Sequence, residues 1–427
     1  MKRSRYIFVT AFALVGVGAA MLLAACSGGT AAPAATSAPA AAAPTTAAAP
    51  AANSAPAAAA PAGATSAPAA APAASGSPIA VKIGLIAPLT GDVKTFGEST
   101  KNGFDLAVAE ANATGKLKIT TDVGDDKNDA TEGVNVATKE ITQDKVNAIV
   151  GSVSSKVSIP ISEVAQQNKV VQISPTSTNE KVTVDNGKRK DYVFRACFID
   201  PFQGHVMAKF VTDTLKLKKA AVVYDNANDY SKGLATVFQT DFKSMGGTVT
   251  NFEAYTTNDT DFSAILTKIA ANKPDFLYIP DYYNKVNLIA AQARQNGITA
   301  VLGGGDGWDS SDLDMKITDG SYFSNHYSPD ATSPEVQNWV KKYQAKYGAV
   351  PDALATLAYD ATNLLTNAVV TAGSSDPTKI KDALAATKDF KAVSGNITID
   401  KDGNPVKSAV IIKITGGKET YAATVAP

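Results

Sequence analysis

Cysteine is nearly absent from this chain: 427 residues hold two, Cys26 and Cys197. A disulfide framework is therefore excluded as the organising device. Cys197 lies in the run "YVFRACF", where a buried, inert thiol is expected. Histidine is as scarce, with His205 and His326 far apart in sequence, each at an ordinary helix or strand-end position. There is no G-x-S-x-G elbow, no P-loop, no H-E-x-x-H and no Cys/His set at metal spacing. The acidic run "DDKND" (125–129) lacks the glycine and distal glutamate of a calcium loop, and reads as a strand-end turn capping the next helix. No metal, no cofactor and no catalysis are expected. An excess of charge is missing too: 40 basic residues face 40 acidic ones. No basic stripe marks a nucleic-acid partner.

The residues that are present divide the chain in three. Lys2, Arg3 and Arg5 precede the apolar run 7–23, and the stretch ends in "LAAC" (23–26). This is the pattern of a secretory leader, and the terminal cysteine gives it the look of a bacterial lipobox. Residues 1–26 are expected to be a lipoprotein signal, with Cys26 lipidated and holding the chain to a membrane. Removing the leader leaves 37 basic residues against 40 acidic. Residues 27–78 contain only Ala, Pro, Ser, Thr, Gly and one Asn. Such a segment has too little apolar surface to offset its ordering entropy, and reads as a disordered tether. It would span roughly 40 Å as a coil and at most about 160 Å as polyproline II.

Residues from 79 onward carry the fold. Near-continuous apolar runs, such as "AVKIGLIA" (80–87), "VNAIVG" (146–151) and "VVQIS" (170–174), alternate with helical periods at 97–112, 130–144 and 157–168. That alternation predicts a parallel sheet covered on both faces. After "DYVFRACFID" the pattern restarts. Helices at 202–216, 232–245, 262–271 and 284–296 are interleaved with strands "KAAVVY", "GTVTNFEAY", "DFLYIP" and "TAVLGG". Three helical segments (334–347, 353–372, 377–387) and two strand-like runs, "NITID" and "SAVIIKIT", complete the chain. About 350 residues exceed one compact core, so two doubly wound α/β units are expected: residues 79–199 plus about 328–392 as lobe 1, and 200–327 plus about 393–427 as lobe 2.

In open parallel sheets, ligands bind beyond the carboxyl ends of the strands. The loops at those ends are polar, glycine-rich or aromatic: "PLTGDVKTFG", "GSVSS", "SPTSTNE", "YDNANDYSKG", "PDYYN" and "GGGDGWD". Two of them bring hydroxyls together, at Ser155 and at Thr176 and Thr178. Hydroxyls and free amides at a helix start suit an anion, although serine and threonine also cap helices and make turns for purely local reasons. Asp306 sits among glycines in a third loop, where an acid can pair with an ammonium group or simply make an Asx-turn. Phe96, Tyr230, Tyr282 and Trp308 supply aromatic surface, for a cleft wall or for hinge packing. An anion grip facing an acid, with apolar walls between, describes a zwitterionic amino acid with an apolar side chain.

The segments "VKIGLIAPLTGDVKTFGE", "VGSVSS", "ISPTSTNEK", "YVFRACFIDPFQG", "AVVYDNANDYSKGLA" and "TDFSAILTKI" resemble, in order over about 79–415, the branched-chain amino-acid-binding proteins of ABC importers, which are type I periplasmic binding proteins. The resemblance implies two Rossmann-like lobes joined by three crossovers and closing on the ligand. It implies that Ser155 and Thr178 bind the ligand carboxylate, and that Thr176 offers a backbone carbonyl and Asp306 a carboxylate to its ammonium. It also implies that Tyr230 and Tyr282 line the cleft, and that Phe96 and Trp308 lie near the side-chain pocket. Asp306 stands where the family often has Glu, and Phe96 where the leucine/isoleucine/valine-binding protein has Tyr, which bears on side-chain specificity. The expected protein is a monomeric, extracytoplasmic, lipid-anchored binder that delivers a small amino acid to ABC permease subunits. A ligand-binding sensory receptor of the same fold, cargo of another amide or carboxylate, and an extracellular α/β hydrolase are the alternatives; the absent nucleophile motif counts against the last.

Overall fold

The computed structural model describes residues 77–427. The expected leader, the lipidation at Cys26 and all of the expected tether except residues 77 and 78 lie outside the described residues.

Chain order runs β1 (Ile79–Ala87), α1 (Lys94–Ala113), β2 (Leu117–Asp125), α2 (Ala130–Thr142), β3 (Ala148–Gly151), α3 (Ser155–Asn168) and β4 (Val171–Ser174). A small hairpin follows, β5 (Val184–Asp185) and β6 (Lys188–Arg189), and then β7 (Val193–Arg195). Next come α4 (Asp200–Lys209), β8 (Lys219–Asp225), α5 (Asp229–Ser244), β9 (Thr248–Tyr255), α6 (Ser263–Asn272), β10 (Phe276–Tyr278), α7 (Tyr283–Gln295), β11 (Val301–Gly304) and β12 (Tyr322–Asn325). The last elements are α8 (Pro334–Tyr347), α9 (Ala353–Ala372), α10 (Pro377–Ala385), β13 (Ala409–Thr415) and β14 (Lys418–Val425).

Two main sheets result. The first has the order β2-β1-β3-β4-β7 and is parallel throughout. Its strands alternate between two apolar faces, as period two requires. Val81, Ile83 and Leu85 point toward Leu357, Leu364 and Leu365 of α9, while Ile86 and Ile149 meet Ala137, Ile141, Val157 and Ile161 of α2 and α3. The second sheet has the order β14-β13-β12-β11-β10-β8-β9. It is parallel from β9 to β12 and antiparallel at β13 and β14. The chain passes between the two layers after β7, after β12 and before β13.

Three details differ from expectation. The helix expected over 202–216 is α-helical only to Lys209 and closes in a π-helical turn, Phe210–Thr214. The strand-like "NITID" forms only isolated bridges, Phe390 to Ile397 and Ile399 to Pro405. Ile397 and Ile399 are nevertheless buried in the core under the first sheet. The third passage therefore falls just before β13 rather than near residue 393. The strands β12 and β14 arise where the sequence pattern marks no strand.

Candidate functional site

The tips of β3 and β4 are knitted to each other by hydroxyls. Ser174 Oγ donates to Ser152 O at 2.9 Å, Thr176 Oγ1 to Val153 O at 2.9 Å, and Ser177 Oγ contacts Val153 O at 2.9 Å and Ser158 Oγ at 2.6 Å. Most of this hydroxyl cluster is thus consumed in closing two adjacent loops. Behind it the buried Arg195 donates to Ser177 O at 2.7 Å and Asn179 O at 2.9 Å, fixing the second loop from below. Ser155 is the exception. It is the first residue of α3, and its Oγ accepts from Asn179 N at 3.2 Å, which leaves the hydroxyl proton free to be donated.

Opposite, beyond β11, the loop carries Asp306. Glycine is required here by close approach. A Cβ on Gly305 would come within 2.6 Å of Tyr230 Oη, and one on Gly307 within 2.9 Å of Asp281 O. Asp306 Oδ1 accepts from Gln203 Nε2 at 2.8 Å and from Tyr230 Oη at 2.9 Å, and Oδ2 meets His326 Nε2 at 2.9 Å. The Tyr230 hydroxyl also accepts from Gly307 N at 3.0 Å. Burial raises the tyrosine pKa far above its ordinary value, so Tyr230 stays a neutral donor. Burial likewise lowers that of His326, against the pull of Asp306. The nearby Asp200, buried and beside Asn179, is pushed up to about 8, chiefly by desolvation.

The two halves meet around a small chamber. Phe96, Val153, Ser155, Thr176, Tyr230, Tyr282, Asp306, Gly307 and Leu354 line it. Tyr230 and Tyr282 stack with centroids 5.2 Å apart, and Phe96 sets its edge against Tyr282 at 5.6 Å and against Tyr283 at 5.1 Å. Tyr282 Oη is buried with no hydrogen-bond partner. Around the chamber, contacts tie one set of loops to the other: Thr95 Oγ1 to Ser310 Oγ at 2.9 Å, Lys181 Nζ to Asp229 at 2.8 Å, and Asp309 accepting from the Ala353 N–H at 2.8 Å. The chamber's only ionisable carboxyl is Asp306, and no lysine or arginine lines it. A buried charge needs a partner, and here the protein supplies only neutral donors.

Six of the eight sequence-predicted ligand residues meet at this chamber: Phe96, Ser155, Thr176, Tyr230, Tyr282 and Asp306. Two do not line it. Trp308 is fully buried, its Nε1 donating to Ile279 O at 2.9 Å, because the loop folds its indole back over Gly304 into the core. Thr178 is fully buried behind the β4 loop, where its carbonyl accepts from Asp200 N and its hydroxyl lies beside the Asp200 carboxyl. Cys197 is buried as expected, and burial pushes its thiol up to about 12. Sequence reasoning missed Val153 and Leu354 in the wall, and Gln203 and His326 behind Asp306. Nothing local marks them, since an apolar loop residue or a polar helix residue fits any fold. A wider groove on the surface, around Trp339, Lys342 and Tyr359, holds an ion pair, with Lys342 Nζ 2.8 Å from Glu110.

A model of the family described as periplasmic binding protein matches residues 80–419. The chain belongs to this family. Its members are extracytoplasmic solute-binding proteins of ABC transporters, not enzymes. The chain is 33% identical over 353 residues to a protein of Brucella abortus named Leu/Ile/Val-binding protein homolog 2, covering 80% of this chain and 93% of that one. Among solved structures it is similar to a leucine-binding protein, LivK, of Thermotoga maritima, with 37% identity, a TM-score of 0.76, and coverage of 81% of this chain and 99% of the other. It is equally similar in fold to LivJ of Streptococcus pneumoniae, solved with isoleucine, with 34% identity, a TM-score of 0.76, and coverage of 82% and 100%. The fold is accordingly that of a type I periplasmic binding protein, two doubly wound lobes joined by three crossovers.

Proposed function

We propose that this chain captures an apolar, branched-chain type L-amino acid between its lobes and delivers it to the permease of an ABC importer, while tethered to a membrane through lipidated Cys26. The observation that carries the reading is the chamber's polarity. An acid surrounded by neutral donors faces, across aromatic and aliphatic walls, a serine whose hydroxyl proton is free. A ligand ammonium would complete Asp306, with the Thr176 carbonyl as a second acceptor. A ligand carboxylate would take the Ser155 hydroxyl and the amides at the start of α3. Phe96, Val153, Leu354 and Tyr282 would enclose the side chain. Thr178 and Trp308 are assigned supporting places behind the wall. The names of the relatives, which refer to leucine, isoleucine and valine, support this choice of ligand. The lobes we assign are residues 79–199 with about 328–405, and 200–327 with about 406–427.

The magnitudes agree with this use. Charge-assisted hydrogen bonds contribute ~1.5–3 kcal/mol each, and burial of an aliphatic side chain contributes ~1.5–3 kcal/mol. After closure and ordering costs, a micromolar dissociation constant, about −8 kcal/mol, is expected. Calorimetry with L-leucine tests the reading. Wild type should bind, and Asp306→Ala should weaken binding by about ten-fold or more. An unchanged affinity in the variant would remove the ammonium assignment. The lipid anchor is tested separately by fatty-acid labelling of the expressed protein, which Cys26→Ser should abolish.

A further inference from the structure

Two of the three side chains that hold Asp306 do not line the chamber. Gln203 reaches it from α4 and His326 from the passage after β12. His326 is 2% exposed, and its ring lies on Phe198 with centroids 3.7 Å and planes 26° apart. Phe198 belongs to the passage after β7, so the ring is clamped between two of the three connections joining the lobes. Its only polar contact is through Nε2, and Nδ1 is buried without a partner.

A carboxylate only accepts, with about four lone-pair positions on its two oxygens. Two neutral donors take Oδ1 and one takes Oδ2, which leaves a position on Oδ2. His326 fits this arrangement in one form, neutral with the proton on Nε2. The other tautomer would aim a lone pair at the acid. The imidazolium would cancel the charge that a ligand cation needs, and would leave an N–H on Nδ1 buried without an acceptor. The groups acting on the ring are Asp306, which favours its cation, and Lys407, which together with burial disfavours it; the balance lowers its pKa.

We propose that His326 is a positioning residue for the ammonium end of the site: as a neutral Nε2–H donor it orients Asp306 so that one Oδ2 lone pair stays available to the ligand, and it leaves the acid's charge uncancelled. The inference rests on the amino-acid reading above. It carries a signature that a packing role does not, because only ligands with an ammonium group respond to the loss of His326.

The test compares L-leucine with 4-methylpentanoate, which has the same side chain and carboxylate but no ammonium, by calorimetry on the full chain. Wild type should prefer leucine by roughly ten-fold or more. His326→Leu should weaken leucine by about five- to thirty-fold and leave 4-methylpentanoate within about two-fold. His326→Gln, which keeps a neutral donor, should recover part of the loss. Equal losses for both ligands, or no loss for leucine, would overturn the proposal. A wild type that does not distinguish the two ligands would overturn the amino-acid reading and the proposal with it. Should the variants fail to fold, nitrogen-15 NMR of wild type decides. With only two histidines to assign, His326 must be the neutral Nε2–H tautomer at about pH 7.5, and a cationic or Nδ1–H ring there contradicts it.

Discussion

The two sides of the chamber are built differently. On the first sheet, the hydroxyls of Ser174, Thr176 and Ser177 spend themselves on carbonyls of the adjacent loop, and at the chamber wall Ser155 keeps a proton to give. On the second sheet a single acid gathers donors from partners 103, 76 and 20 residues away in sequence. The first side therefore resists change by sharing its work among neighbouring groups. The second concentrates it in one residue. A further contrast lies away from the chamber. Glu140 of α2 is also a buried acid, fitted against Gly84 and Gly124, yet neither of its carboxyl oxygens has a hydrogen-bond partner. Burial, with Asp122 and Asp144 nearby, raises it to about 8. One acid is furnished with donors and the other is not, and the furnished one lines the chamber.

That asymmetry can be broken at four places. The largest effect is expected for Asp306→Ala, with a loss of about ten- to 150-fold in leucine affinity by calorimetry, because no second group replaces the charge. Next is Glu140→Gln. The folded protein holds this proton up to about pH 8, whereas the unfolded chain releases it near 4.5. Wild-type stability should thus fall as pH rises through that window, and the variant should gain relative to wild type over the same range. Denaturant midpoints at both ends of the window check the sign, and an equal difference at both ends would refute it. Ser155→Ala should cost less than Asp306→Ala, about three- to ten-fold in affinity, since helix amides share the carboxylate. A loss equal to that of Asp306→Ala would erase the contrast between the two sides. The smallest effect belongs to Thr178→Val. It removes a hydroxyl that lies beside the Asp200 carboxyl and outside the chamber, so affinity should stay within about two-fold. A large affinity loss would return Thr178 to the ligand's own contacts.

The sequence was most readable where function depends on local order. Parallel strands announced themselves as "AIVG" and "FLY" runs buried on both faces, and strand-end loops follow from the strands. Thus Ser155, Tyr230, Tyr282, Phe96 and Asp306 could be picked out from their loops and Thr176 through the family resemblance, and the chamber collects all six. The direction of a side chain within its loop was not readable. Trp308 stands two residues from Asp306, but a 3₁₀ turn over Asp306–Trp308 sends its indole into the core. Thr178 shares a loop with Thr176 and is turned behind it. The partners of Asp306 were least readable, because the approach of α4 and of the β12 passage to β11 is a tertiary event without a local signal. The edge strand β14 was missed for a related reason, since its exposed, mixed residues lack an apolar run.

The most direct measurement is a crystal structure of the protein with L-leucine. The account predicts the ligand in the chamber between Phe96 and Tyr282, its ammonium within hydrogen-bond distance of an Asp306 carboxylate oxygen and its carboxylate on the Ser155 hydroxyl. A leucine bound in the reverse sense, or seated outside this chamber, would contradict it.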